Sequence, residues 1–199
     1  MTDPAFFTTA DGISFARVST PYRQIFDVPE YWIQDILPDD RVIDIGANVG
    51  AFCLRAARLS RSVTAVEPVT TSLLAQNIRS NAANVRVIEG ALGTGGSCTI
   101  SWDDYSVTVP GYPLSEIIRM SGGCDFLKCD CEGGEWLIRS GELDGIRRIE
   151  MELHIPPISG QPVMSLLDEI SHDFAFEITR TPCHDALGVM GVLHAWRKE

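Results

Sequence analysis

The chain has 199 residues, 45% hydrophobic and 22% charged, the balance of a globular protein long enough to bury a substantial core. A formal net charge of −11 opposes a phosphate backbone, so no nucleic-acid partner is expected. No run approaches the roughly 18 apolar residues of a membrane span, and Met1-Thr2-Asp3-Pro4 lacks the basic start of a signal peptide, so no membrane partner and a cytoplasmic location are expected.

Residues 1–40 read as a segment appended to a core that runs from 41 to 199, the whole forming one domain. In the segment, Phe6, Phe7, Ile13, Phe15 and Val18 are interleaved with Thr, Ser and Gly, which predicts short strands. Tyr31, Trp32, Ile33, Ile36 and Leu37 predict a short amphipathic helix stopped by Pro38. Such a segment either covers the mouth of a site or caps a sheet.

The apolar run 42–45 opens the core and meets the sequence Asp44-Ile45-Gly46-Ala47-Asn48-Val49-Gly50. Val49, Phe52, Cys53, Ala56 and Ala57 follow at helical spacing, so the unit is strand, tight glycine turn, helix. A dinucleotide site expects G-x-G-x-x-G. Here Asn48, a residue that tolerates a left-handed backbone, takes the middle position, and Asp44 precedes the turn. An acid there disfavours a pyrophosphate and suits a ligand bearing an ammonium group.

A second apolar run, 63–66, ends in Glu67-Pro68, where a carboxylate is placed to accept hydrogen bonds from ribose hydroxyls. Ribose together with an amino-acid-like cation points to S-adenosylmethionine. An ordinary strand–helix connection explains the glycine turn alone but not the turn with Glu67.

Strands and helices then alternate, the pattern of a parallel α/β sheet. A helix is predicted over about 72–79, with Leu74 and Ile78 on its buried face, and a strand over 85–88, ahead of Glu89-Gly90-Ala91-Leu92. After the glycines at 93, 95 and 96, residues 97–102 predict an extra short strand. Leu114, Ile117 and Ile118 mark a helix ended by Gly122-Gly123. The strand 125–130 finishes on Asp130, and Gly133-Gly134 opens a helix carrying Trp136, Leu137 and Ile138.

Arg147-Arg148 is the densest basic spot and reads as the cap of the next strand's start. In that strand Ile149, Met151, Leu153 and Ile155 alternate with Glu150, Glu152 and His154. A fully buried parallel strand is nearly all apolar, so this one either exposes a face or ends in a polar site. Val163, Met164, Leu167 and Ile170 predict a helix after Pro162, and 174–178 with 189–196 predict a closing antiparallel hairpin. Six cysteines (Cys53, Cys98, Cys124, Cys129, Cys131 and Cys183) include no C-x-x-C pair and are expected to be reduced and largely buried.

Three blocks resemble the FkbM family of S-adenosylmethionine-dependent methyltransferases: the turn from Val42 to Gly50, then Ala65-Val66-Glu67-Pro68, then Leu127-Lys128-Cys129-Asp130-Cys131-Glu132-Gly133-Gly134-Glu135. The third block is the specific one, with Cys129 and Cys131 where the family has aliphatics. The resemblance covers 41–154. It implies a Rossmann-like class I methyltransferase fold, a seven-stranded mostly parallel sheet with a terminal antiparallel hairpin and helices on both faces. It also implies that Asp44, Gly46, Asn48 and Gly50 surround the methionine part of the cofactor. Glu67 then binds ribose beside Pro68, Ala91 lies beside the adenine, and Asp130 faces the reacting centre.

Methyl transfer from a sulfonium needs alignment and a deprotonated acceptor. The candidates near strand ends are Asp130, Glu132, Glu152 and His154, with His154 first as general base because imidazole titrates near neutrality. A structural histidine beside Glu152 is the competing reading. For Glu132 it is a carboxylate favoured by a helix dipole. The same four residues could supply oxygen and imidazole ligands to a metal, but no pair among them has diagnostic spacing, so no metal is expected. The expected reaction is O-methylation of a small-molecule or sugar hydroxyl. A non-catalytic adenosyl-binding domain and an NAD-dependent oxidoreductase are the alternatives. Oligomeric state is not legible.

Overall fold

A computed structural model describes residues 6–16, 30–102, 105–155, 163–180 and 188–199. Val18, Pro162 and Cys183, and the side chains of Val163 and Met164, lie outside what is described. Among the described residues no helix is long and apolar enough to cross a membrane.

The chain order is β1 (Phe6–Thr8), β2 (Ser14–Ala16), β3 (Arg41–Ile45), α1 (Cys53–Ala56), β4 (Ser62–Glu67), α2 (Thr71–Ser80), β5 (Val85–Glu89), β6 (Ala91–Leu92), β7 (Ser97–Trp102), β8 (Tyr105–Tyr112), α3 (Leu114–Ser121), β9 (Phe126–Cys129), β10 (Arg148–His154), α4 (Val163–Asp173), β11 (Phe174–Thr179) and β12 (Val189–Arg197). Seven strands form the main sheet in the order β11-β12-β10-β9-β3-β4-β5. From β10 to β5 the pairings are parallel, and β12 joins antiparallel to both β10 and β11. The expected α/β architecture with a terminal hairpin is therefore present.

Strand alternation divides the core into two layers. One face of the sheet packs Ile43, Leu127, Met151 and Leu193 against Leu114 and Ile117 of α3 and Leu166 and Ile170 of α4. The other packs Val42, Val63, Ala65 and Phe126 against α1, Leu74 of α2, and Ile13 and Phe15 of the leading hairpin. Helices cover both faces. The hairpin is bound to α2 by Asn77 and Asn81, whose side-chain oxygens accept from the Ala16 and Ser14 amides.

Several local expectations change. The helix after Gly50 is one turn, because Ser60 and Arg61 already lead into β4. Gly134–Leu137 and Ile33–Asp35 are single 3-10 turns rather than helices. The strand at 97–102 pairs with a longer strand, β8, that the sequence did not suggest, and β8 also pairs with β6 in a small separate sheet. Pro110 and Gly111, both unusual in strands, obscured β8.

The polar face of β10 is not exposed. Register aligns Asp44, Lys128, Glu150 and His194 as direct neighbours across β3, β9, β10 and β12. Residues 30–37 lie over this row: Trp32 stacks on His194 at 4.2 Å, and its amide donates to Glu150 at 3.0 Å. Arg148, the first residue of β10, is a buried member of the same network, paired with Glu150 and with Asp35 at 3.0 Å.

Candidate functional site

Sheet order runs outward from β3 in two directions, through β4 and β5 on one side and β9 and β10 on the other. The chain thus reverses between β3 and β9, and in open α/β sheets ligands bind beyond the carboxyl ends of strands at such a point. A cavity of about 510 Å³ opens there, lined by Gly46, Asn48, Glu67, Pro68, Ala91, Asp130 and Glu132 among others. Seven of the expected site residues therefore meet in one place.

The turn after β3 explains its residue types. Gly46 has φ 73°, and a Cβ on it would stand 1.7 Å from the Asp130 carbonyl oxygen, so only glycine lets the two strand ends approach. Asn48 sits at φ 49°, the left-handed conformation anticipated for it. Glu67 is buried, and its carboxylate accepts from the amides of Asn48 (2.8 Å), Val69 (2.7 Å) and Thr70 (2.9 Å). One residue thus fixes the glycine turn and the start of α2. A carboxylate has about four acceptor sites, so one remains for a ligand in the cavity.

Asp44 and Gly50 do not line this cavity. Gly50 packs under the turn, where a Cβ would meet Leu74 at 3.0 Å. Asp44 is fully buried and pairs with Lys128 at 3.1 Å, so the ammonium it faces belongs to the chain and not to a ligand. Burial raises the Asp44 carboxyl's pKa, with Lys128 opposing; Lys128 is held charged above its usual range despite its own burial, chiefly by Asp44 and then Asp130. Lys128 also donates to the Gly46 carbonyl at 3.0 Å, tying β9 to the turn. A lysine inside the apolar run of β9 was the sequence signal for this pair, since a buried ammonium requires a buried acid.

The other wall of the cavity is acidic. Asp130 and Glu132 reach it from beyond the end of β9; Glu152 and His154, near the end of β10, contact these residues without lining the cavity themselves. The Tyr31 hydroxyl donates to Asp130 at 3.0 Å, and the Lys128 ammonium lies 5.3 Å from the Tyr31 ring centre. Burial disfavours the Asp130 charge, but Lys128 and a hydrogen bond from Glu152 hold its pKa below the usual range. Burial pushes Glu152 up to about 7.

His154, expected as the general base, stands among three carboxylates and is not among the residues that line the cavity. Its Nδ1 lies 3.2 Å from Glu135, and its Nε2 lies 3.3 Å from both Glu132 and Glu152. Burial opposes a charge on the ring, but the three carboxylates outweigh it and push the pKa up to about 12. Glu135, fully buried, also accepts from the His154 amide at 2.8 Å and the Gly133 amide at 3.0 Å. Neither Tyr31 nor Glu135 was expected at the site.

No protein-family model matches the chain, and no curated protein matches its sequence. Solved structures do match its fold. An rRNA methylase from Streptococcus thermophilus is similar at TM-score 0.59 and 10% identity, over 92% of this chain and 100% of that one. A precorrin-6y C5,15-methyltransferase from Geobacter metallireducens is similar at TM-score 0.52 and 14% identity, over 96% and 95% of the two chains. The TYW2 protein of P. horikoshii, in complex with MeSAdo, is similar at TM-score 0.52 and 15% identity, over 98% of this chain and 70% of that one. The shared feature is the Rossmann-like class I methyltransferase fold.

Proposed function

We propose that the protein is an S-adenosylmethionine-dependent methyltransferase of the FkbM type, acting on a small-molecule or sugar hydroxyl. One observation carries the reading: Gly46, Asn48, Glu67 and Asp130 converge on a single cavity at the point where the sheet order reverses. The cavity's volume is within the range of about 300–1,000 Å³ usual for small-ligand sites. Its residues fit the ligand: a glycine without a Cβ beside the Asp130 backbone, and a fixed carboxylate with acceptor capacity left for a ribose hydroxyl.

S-adenosylmethionine supplies a methyl group on a sulfonium sulfur. The chain's own residues supply placement, with Glu67 holding the ribose, Ala91 and Pro68 flanking the adenosyl part, and Asp130 standing at the reacting end. Asp44 supports the site through Lys128 and the Gly46 turn. The comparison structures favour the same cofactor, since the TYW2 protein holds MeSAdo and the precorrin protein is a methyltransferase. The acidic wall of Asp130 and Glu132 suits an acceptor that donates hydrogen bonds, as hydroxyls do.

Calorimetric titration with S-adenosylmethionine, its demethylated product and NAD tests the reading. Binding of the first two is expected. Glu67→Gln, which keeps one acceptor oxygen but removes the charge, should weaken it about 10- to 100-fold, the worth of one charge-assisted hydrogen bond of about 1.5–3 kcal/mol. Circular dichroism would confirm that the variant remains folded. Binding of NAD without response to the adenosyl-sulfur ligands would overturn the proposal.

A further inference from the structure

We infer that Asp130, Glu152 and His154 form a binding site for one divalent cation of the Mn²⁺ type, bound through mixed carboxylate and imidazole ligands. One ligand atom from each of the three lies within 4.8 Å of the others. The separation of 3.3 Å between His154 Nε2 and Glu152 Oε2 is close to the roughly 3 Å between neighbouring ligands of an ion coordinated at about 2.1–2.2 Å. Glu132 Oε2, also 3.3 Å from Nε2, is in reach as a fourth ligand. A set of carboxylates with one imidazole suits Mn²⁺ and its neighbours better than thiophilic ions.

One observation beyond the gathering of acids supports the site. The imidazole is oriented from behind by Glu135, a fully buried carboxylate outside the ligand set that engages Nδ1 and the His154 amide, leaving Nε2 directed at the acids. A carboxylate on the far ring nitrogen is the usual support of a metal-bearing histidine. Lys128 stands 3.8 Å from Asp130 but closer to Asp44, at 3.1 Å, so its charge is shared between the two acids. A divalent cation bound at Nε2 displaces the ring proton there to solvent.

The ligands show no motif spacing because Asp130 follows β9 while Glu152 and His154 lie near the end of β10, strands adjacent in the sheet although separate in sequence. Asp130 also lines the ligand cavity, which gives an ion a route to this set. Binding of the ion itself does not depend on the methyltransferase reading.

The test is titration of the full chain, without adenosyl ligand, with Mn²⁺ followed by electron paramagnetic resonance of the free ion. One saturable site per chain is expected. Glu152→Gln and Asp130→Asn should each weaken it at least 10-fold, while Glu116→Gln on the exposed face of α3 leaves it unchanged. Anomalous diffraction from Mn²⁺-soaked wild-type crystals provides a second readout that needs no variant. A peak within coordination distance of Asp130, Glu152 and His154 supports the inference. No saturable binding, binding unaffected by the variants, or an anomalous peak only elsewhere overturns it. Cation binding with no adenosyl binding would sink the proposed function and leave this site standing; the reverse result would do the opposite.

Discussion

The pair Asp44–Lys128 shows how one buried contact shapes a binding site that it does not line. Asp44 sits one residue before Ile45 and the Gly46 turn, and Lys128 bonds both the carboxylate and the Gly46 carbonyl. The turn is thereby held against β9, where Gly46 already touches the Asp130 backbone. Removing one member of a buried ion pair leaves an uncompensated charge and costs about 3–5 kcal/mol, whereas replacing both removes the penalty. Lys128→Met should therefore destabilise the fold by about 3–5 kcal/mol in denaturant unfolding. The double variant Lys128→Met/Asp44→Leu should recover much of that loss. If the double variant proves as unstable as the sum of the single ones, the pair is not the coupled unit described. Part of this was open to inspection in the sequence, since Asp44 and Lys128 both interrupt apolar strands. Their pairing was not, because it depends on β3 and β9 being neighbours in register.

Between elements, the same register builds a row of polar residues across four strands and lays residues 30–37 over it. A second tie lies at the start of the same strands. The Arg41 guanidinium of β3 makes two hydrogen bonds to Asp125, at 2.7 and 2.9 Å, just before β9, and the Arg41 amide donates a third at 2.8 Å. The Arg41 guanidinium is the main cause that lowers the Asp125 pKa below its ordinary value of 3.8, with burial opposing. A depressed folded-state pKa contributes stability above the unfolded value, and that contribution disappears as pH falls through the folded one. The stability gap between wild type and Asp125→Asn should therefore be constant near neutrality and close as pH drops below 3.8. Thermal melts across pH would read this, and a gap that persists into strong acid would refute it. Both residues are partly exposed, so the gap should be modest. Elements built on local patterns were legible: β3, β4, β9 and the glycine turn follow from apolar runs and glycine spacing. The strand β8 and the one-turn α1 were not, and although the leading segment was expected to cover a site or cap a sheet, its place over β10 was not legible, because long-range pairing decides these features. At the site, Gly46, Asn48 and Glu67 could be read from the chain. The network of Glu135 and His154 joins residues 19 apart and needed the fold.

At the scale of the whole molecule, the decisive quantity for the acceptor is charge. Sixteen basic residues face 27 acidic ones, and Asp130 and Glu132 on the cavity wall carry the same sign as the protein overall. A nucleic-acid acceptor must bring phosphates to that wall, and phosphate affinity comes mainly from lysines and arginines that displace condensed counterions. The likeness to an rRNA methylase concerns the arrangement of strands, at 10% identity, and charge is not inherited with a fold. Labelled single-stranded and duplex RNA should therefore give no saturable anisotropy change at protein concentrations of about 10 μM in about 0.15 M salt, a range in which nonspecific binders already respond. A cation at Asp130 and Glu152 would reduce the local repulsion but leave the surface acidic, so added Mn²⁺ should not create RNA binding. Saturable binding that weakens steeply with salt would show that phosphates are engaged after all, and would move the search for the acceptor from small hydroxyl compounds to RNA.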